Sequence, residues 1–226
     1  MEKLELVKRN TEEIVTEKEL ETLLKKKPSA YIGYATTGKI HIGHDIPLVK
    51  VMDLVDAGFD FKFLIADLHS FLDDQKTPWE LLDARAEYYE QTVKAMLESL
   101  GVNLRKIKFY RGKDFQLKKD YMLDVLHMAG EVTIARARRA ASEVVRFNET
   151  PKLSGFLYPL LQIRDIVGLK VQVALGGIDQ RGIYMLAREL LPQIGYEKPV
   201  CIFTCLLYTS DAADEGLGVD LGGRRI

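Results

Sequence analysis

The sequence predicts a doubly wound α/β fold, a parallel sheet with helices on both faces, interrupted by an inserted helical block. Three observations carry this. Short apolar runs at residues 29–34, 61–66 and 106–110 alternate with longer stretches of helical periodicity. The same strand–helix order resumes from residue 171. Between these halves, from about residue 117 to 165, nothing reads as strand. Strands separated by helices imply parallel pairing through right-handed crossovers.

Taken in order, residues 1–28 form a charged helical segment. Thr16-x-x-Glu19 reads as a capping box opening a helix over 17–26, and Lys25, Lys26 and Lys27 suit the negative end of its dipole. Pro28 breaks the pattern, and the first buried strand follows over 29–34. After a loop at Thr36-Thr37-Gly38, a helix from near His41 carries Leu48, Val51, Met52 and Val55 at helical spacing and stops at Gly58. The run 61–66 is apolar enough to be buried on both faces. A long helix over about 78–100 ends at Gly101, and 106–110 makes the next strand. The inserted block bears a basic segment at Arg136, Arg138, Arg139 and Arg146. A strand at 171–175, a helix over about 181–191 and a strand at 200–203 complete the pattern.

Composition bounds the function. The 226 residues hold 32 Lys+Arg against 33 Asp+Glu, a formal net charge of −1, with 47% hydrophobic and 29% charged residues. A disordered chain, a collagen-like repeat and a disulfide scaffold are excluded, and so is nucleic-acid binding driven by net charge alone. Two cysteines, Cys201 and Cys205, point to a reducing compartment. The charged start Met-Glu-Lys-Leu-Glu lacks the apolar core of a signal peptide, and no apolar run approaches the roughly 18 residues of a membrane span. A cytoplasmic location without membrane attachment is expected.

Gly38-Lys-Ile-His41-Ile-Gly43-His44 falls between the first strand and its helix, where a doubly wound sheet binds ligands at its carboxyl edge. Gly38 and Gly43 let a ligand approach the backbone, and His41 and His44 share one face of the first helical turn, placed to donate to phosphate. Taken alone, His-x-x-His reads as two surface histidines. The preceding strand and the two glycines turn the reading to ligand binding. A metal site is disfavoured, because His69 and His127 are the only other histidines and no cysteine lies near. Tyr158, Gln162 and Asp165 stand at i, i+4 and i+7, one helical face. A phenol, an amide and a carboxylate among apolar neighbours would each need a partner if buried. Gly176-Gly177-Ile-Asp-Gln180 directly follows a buried strand and brings Gln180 to the same edge. Tyr31, alone, reads as a core or edge tyrosine, and the arginine cluster as a solvated helix face.

The His41-Ile-Gly-His44 turn, the Tyr158/Gln162/Asp165 helix and Gly177-Ile-Asp-Gln180-Arg181 together resemble the tyrosyl-tRNA synthetases of archaeal and eukaryotic type, class I enzymes built on a Rossmann-like nucleotide-binding sheet. The resemblance runs from about residue 4 to 204, which makes 29–204 the expected catalytic domain. It implies ATP-dependent activation of L-tyrosine to tyrosyl-adenylate, followed by transfer to tRNA(Tyr). It implies that Tyr31 and Asp165 bind the phenol, with Asp165 accepting its proton, and that Tyr158, Gln162 and Gln180 hold the α-amino and carboxylate groups. Phenylalanine would then be rejected because it leaves polar groups unpaired. It further implies that Gly38, His41, Gly43 and His44 bind ATP, with His41 and His44 catalytic, and that Mg²⁺ accompanies the departing pyrophosphate. Arg181, Arg138 and Arg139 would meet the tRNA acceptor end, and the helical block would form a homodimer interface. A tryptophanyl-tRNA synthetase, or another nucleotidyl transferase of the same fold, is the alternative. A tryptophanyl enzyme has no use for Asp165 and Tyr31 around a phenol.

Two departures from the resemblance stand out. The loop Ala35-Thr36-Thr37-Gly38 lacks the proline or acid the family usually places there. After Thr204, neither a Lys-Met-Ser-(Lys/Ser)-Ser signature nor an anticodon-binding domain follows, so weak or absent activity is expected of this chain. Residues 205–226 instead read CLLYTSDAADEGLGVDLGGRRI. TGT CTC TTA TAC ACA TCT GAC GCT GCC GAC encodes Cys205 to Asp214, and GTA GAT CTC GGT GGT CGC CGT ATC encodes Val219 to Ile226; both strings match arms of a transposase sequencing adapter. The segment is therefore expected to be non-native. Without its four acids and two bases the formal charge moves from −1 to +1.

Overall fold

A computed structural model describes residues 2–145 and 147–206; Arg146 of the basic segment and residues 207–226, most of the segment expected to be foreign, lie outside the described residues. The chain opens with α1 (Lys3–Lys8), a short strand β1 (Glu13–Val15) and α2 (Glu17–Leu24). Then β2 (Ser29–Ala35), α3 (Asp45–Asp56) and β3 (Asp60–Ala66) form the first crossover unit, and α4 (Asp67–Leu72), α5 (Leu82–Ser99) and β4 (Ile107–Arg111) the second. The helical block comprises α6 (Lys113–Gln116), α7 (Lys119–Glu131), α8 (Ile134–Ala141) and α9 (Leu153–Gly168). Strand β5 (Val173–Gly177), α10 (Arg181–Gln193) and β6 (Val200–Thr204) close the described part.

The sheet order is β1-β6-β5-β2-β3-β4, parallel except for β1, which pairs antiparallel to β6 with Glu13 opposite Phe203. The parallel strands run outward from the centre in both directions, β2 to β3 to β4 one way and β5 to β6 the other. The reversal between β2 and β5 is where such sheets open a crevice at their carboxyl ends. Alternate residues feed two cores. Ile32, Phe61, Phe63, Val173 and Ile202 pack on one face with Leu48, Val51, Tyr89 and Val93 of α3 and α5. Tyr31, Leu64, Ala174 and Phe203 pack on the other with Val125, Ile163 and Ile183 of α7, α9 and α10. Period-two alternation on strands buried from both sides produces this division.

Several sequence expectations need correction. The first 28 residues are not all helix. β1 interrupts them, its backbone paired to β6 some 190 positions away, a partner that no local pattern reveals. Thr16 caps α2 by accepting from the Glu19 N–H at 3.3 Å, but the reciprocal half of the capping box is absent, because the Glu19 carboxylate binds Arg188 and Lys198. The helix expected from near His41 starts as a 3₁₀ turn, Ile42–His44, with α3 proper from Asp45. The strand expected at 171–175 lies two residues further on, so Gly176 and Gly177 end β5 rather than follow it. Helix α4 was not foreseen. It is six residues long and leaves β3 without a loop.

α1 is fixed from beneath by Lys50, a buried α3 side chain whose Nζ donates to the carbonyls of Leu6 (3.1 Å) and Arg9 (2.6 Å), groups a helix C-terminus leaves open. Close approach of α10 to α8 depends on Gly182, where a Cβ would stand 3.1 Å from the Ala140 carbonyl carbon. Among the described residues no helix is long and apolar enough to cross a membrane.

Candidate active site at the sheet switch point

A cavity of about 320 Å³ opens at the reversal between β2 and β5, walled by both strands, α9 and the residues after β5. That is within the usual range of small-molecule sites, about 300–1,000 Å³. Tyr31, His44, Tyr158, Gln162, Asp165 and Gln180 all line it. A larger depression of about 630 Å³, at the opposite edge of the sheet between α2 and the end of α10, has none of the unpartnered buried polar atoms found among the described residues. In the first cavity His69, Asp73, Gln162 and Asp165 each present one. Buried polar atoms normally have partners, so this concentration marks the place where a polar ligand would supply them.

Tyr158, Gln162 and Asp165 come to one wall because α9 holds them on one face, Tyr158 a turn above Gln162 and Asp165 a turn below. Asp165 is fully buried. Its Oδ1 accepts from Gln116 Nε2 and lies the same 2.8 Å from the Tyr121 hydroxyl, while its Oδ2 has no hydrogen-bond partner and stands 3.6 Å from His69 Nε2. Burial pushes the Asp165 carboxyl up to about 7, against the opposing effect of the Gln116 and Tyr121 hydrogen bonds. Burial also lowers His69 to about 3, so its ring is neutral. Gln162 Nε2 donates to Gln180 Oε1 at 2.8 Å, leaving Gln162 Oε1 unpartnered, and Gln180 in turn donates to Asp179. Tyr31 sits in the central strand; its hydroxyl reaches the Gln162 carbonyl and the Tyr184 hydroxyl, each at 3.4 Å.

Of the His41–His44 turn only His44 lines the cavity; Gly38, His41 and Gly43 are not among its lining residues. His41 Nδ1 accepts from the Gly43 N–H at 3.1 Å, so its neutral ring carries the proton on Nε2. The two rings meet edge to face with centroids 4.3 Å apart. His44 is lowered chiefly by burial, which favours its neutral form. A Cβ at Gly43 would lie 2.8 Å from His41 Cε1, so a side chain there would displace the His41 ring; Gly38 faces open space. The loop leading here is held by α5, with Tyr89 accepting from the Gly38 N–H (3.2 Å), Tyr88 from the Ile40 N–H (3.3 Å) and Arg85 donating to the Thr37 carbonyl (2.6 Å). The space above Gly176 is filled by neighbouring side chains: a Cβ there would stand 2.9 Å from Gln180 Cγ and 3.1 Å from Tyr184.

The basic residues lie apart from the cavity. Arg181 is committed to Glu13 of β1 through two hydrogen bonds, 2.6 and 2.9 Å. Arg138 and Arg139 are exposed on α8, and the Arg138 guanidinium stands 5.6 Å over the Phe147 ring. Sequence reasoning missed Gln116, Tyr121, Tyr184, His69 and Asp73. They come from four separate segments: His69 and Asp73 from α4 and its end, and Tyr184 from α10, line the cavity, while Gln116 of α6 and Tyr121 of α7 stand behind Asp165; the available hint was that Asp165, if buried, needs donors from elsewhere. Among the described residues no group of three His, Cys, Asp or Glu side chains could hold a metal ion.

Sheet order and the switch-point cavity define a protein of the doubly wound α/β class. Residues 23–214 match the family described as tRNA synthetases class I (W and Y), and the chain belongs to that family. It is 51% identical to the tyrosine–tRNA ligase of Haloarcula marismortui over 97% of this chain and 65% of that protein. It is 48% identical to the cytoplasmic tyrosine–tRNA ligase of Danio rerio over 87% of this chain and 37% of that protein. The crystal structure of Archaeoglobus fulgidus tyrosyl-tRNA synthetase complexed with L-tyrosine superposes with a TM-score of 0.86 at 47% identity, covering 91% of this chain and 64% of that one. The chain thus spans under two thirds of the length of these relatives.

Proposed function

We propose that the chain is the catalytic part of a tyrosine–tRNA ligase, which activates L-tyrosine with ATP and passes the tyrosyl group to tRNA(Tyr). The observation that carries this reading is the Asp165 carboxylate, buried in the cavity beside Tyr31 with Oδ2 unpartnered. A phenol hydroxyl donating to Oδ2 satisfies that atom, whereas phenylalanine brings no donor there. The relatives' tyrosine names and the tyrosine in the Archaeoglobus structure support the same choice.

With the phenol at Asp165 and Tyr31, the amino-acid backbone points towards the mouth. Tyr158, Gln162 through its unpartnered Oε1, and Gln180 receive the ammonium and orient the carboxylate, and Asp73, whose Oδ1 is also unpartnered, adds negative charge. His41 and His44 meet the phosphates of ATP at the start of α3, where the helix N-terminus favours negative charge. A carboxylate oxygen of tyrosine attacks the α-phosphorus, the bond from that phosphorus to the bridging oxygen breaks, and pyrophosphate leaves with the electron pair. A terminal ribose hydroxyl of tRNA then attacks the tyrosyl carbonyl and releases AMP. Neither step needs a protein nucleophile; alignment and donors placed where charge develops lower the barrier. Having no ligand cluster for a metal among its described residues, the chain would receive Mg²⁺ with the nucleotide phosphates.

Arg138, Arg139 and, once released from Glu13, Arg181 would receive the acceptor end of tRNA. The exposed Leu123, Leu126 and Ile134 of the helical block would form a homodimer face, which light scattering of the chain tests. The cytoplasmic name of the zebrafish relative supports a cytosolic setting. Amino-acid-dependent pyrophosphate exchange by the full-length gene product decides the reading; exchange driven by tryptophan or another acid instead of tyrosine overturns it.

A further inference from the structure

We infer that Gln116 and Tyr121 are positioning residues that set amino-acid specificity, by occupying Oδ1 of Asp165 so that Oδ2 alone remains for the substrate. The inference rests on the tyrosine reading above and assigns part of its selectivity to residues that would not touch the substrate.

A carboxylate on a free rotor can turn either oxygen towards any donor. Asp165 has no such freedom. Its Oδ1 receives Gln116 Nε2 at 2.8 Å and faces the Tyr121 hydroxyl at 2.8 Å, from two separate elements, the end of α6 and the first turn of α7. The Tyr121 hydroxyl also lies 2.7 Å from the Leu161 carbonyl, but that carbonyl has its own helical donor, so the single phenol proton goes to the charged oxygen. Gln116 and Tyr121 are themselves buried, at 0% and 3% exposure, and cannot exchange these bonds for bulk water. Gln116 is held in turn. Its Nε2 lies 3.4 Å from His69 Nδ1, and its side chain packs where only a glycine at 112 leaves room, a Cβ there meeting Gln116 Cδ at 3.0 Å.

Selectivity against a ligand lacking the hydroxyl depends on how costly an unpaired Oδ2 is. With Oδ1 held by two donors, the carboxylate cannot rotate to repair the loss. Without them it can turn towards His69 or take up a proton, and the penalty on phenylalanine shrinks. Both donors also favour the ionised carboxylate against its burial.

Titration calorimetry of the 226-residue chain with tyrosine and with phenylalanine tests this, using Tyr121→Phe and Gln116→Met. Each variant is expected to weaken tyrosine binding about tenfold or more, the size of one hydrogen bond to a charged group, while phenylalanine binding stays unchanged or improves. The tyrosine-to-phenylalanine ratio therefore falls in both, whatever happens to thermal stability. Equal weakening of both ligands, or an unchanged ratio in the variant that remains folded, means that the two residues are merely structural and overturns the inference. A parent chain that shows no preference for tyrosine fails at the earlier step and overturns the functional reading on which the inference stands.

Discussion

At the scale of single residues, Asp165 couples the cavity to pH. Its carboxyl is raised from the ordinary 3.8 to about 7 by burial, so the folded chain keeps that proton at pH values where the unfolded chain has lost it. The stabilising contribution is complete below about pH 4 and is lost as pH rises through about 7. Asp165→Asn is therefore expected to flatten the fall in thermal midpoint of the ligand-free chain across that window, and a variant with an unchanged slope refutes the assignment. Tyrosine binding runs the other way, since an ionised Oδ2 is the stronger acceptor; calorimetry should show affinity rising from about pH 6 to about pH 8. Gly43 makes a separate prediction. A Cβ 2.8 Å from His41 Cε1 and 3.0 Å from Nδ1 forces that ring away from the Gly43 N–H. Gly43→Ala should weaken ATP binding several-fold (roughly the loss of one hydrogen bond) and leave tyrosine binding intact, as paired titrations with each ligand would reveal.

At the scale of elements, Arg188 of α10 joins pieces of chain that the sequence keeps far apart. Its guanidinium donates to the Glu19 carboxylate of α2 (2.8 and 3.2 Å), to the Pro199 carbonyl before β6 and to the Val15 carbonyl of β1. Glu19 is held at about 2, well below its ordinary 4.5, first by the Arg188 hydrogen bond. A carboxyl lowered on folding stabilises above about pH 4.5, and that contribution disappears as pH falls towards 2. Arg188→Met is expected to cost about 1–3 kcal/mol in urea unfolding near neutral pH, and less in acid. Strand β1 was invisible in the sequence for the same reason: Glu13-Ile14-Val15 has no alternation long enough to read, and its order comes from β6 and Arg188. By contrast β2, β3 and α5 were legible, because apolar runs and helical periodicity are local signals that burial on both sides of the sheet then satisfies.

At the scale of the whole molecule, the chain spans 65% of its Haloarcula relative and 37% of its zebrafish relative. Its 226 residues contain no Lys-Met-Ser-(Lys/Ser)-Ser segment, so single-turnover adenylate formation should be far slower than in a gene product that carries one. Comparable rates would remove that lysine from the mechanism. We further propose that residues 205–226 are a translated sequencing adapter. The family match runs to residue 214, into this segment, so re-amplifying the source gene across Thr204 decides between a native and a foreign tail. Recovery of the same 22 codons sinks the adapter reading. Leu206, which lines the cavity mouth beside Gly177, would then be native rather than a stand-in for another residue.

By itself the sequence determined the strand–helix order, the helical block, the histidine turn and the shared face of Tyr158, Gln162 and Asp165, because each is written in spacing along a few turns of chain. Only the tertiary structure decided that β2 and β5 are neighbours, that Tyr31 therefore faces Asp165 and Gln180 across one cavity, and that Gln116, Tyr121 and His69 surround the carboxylate. Those contacts join residues 40 or more positions apart. They follow from the reversal of strand order and from the need of a buried carboxylate for donors, and neither leaves a local mark in the sequence.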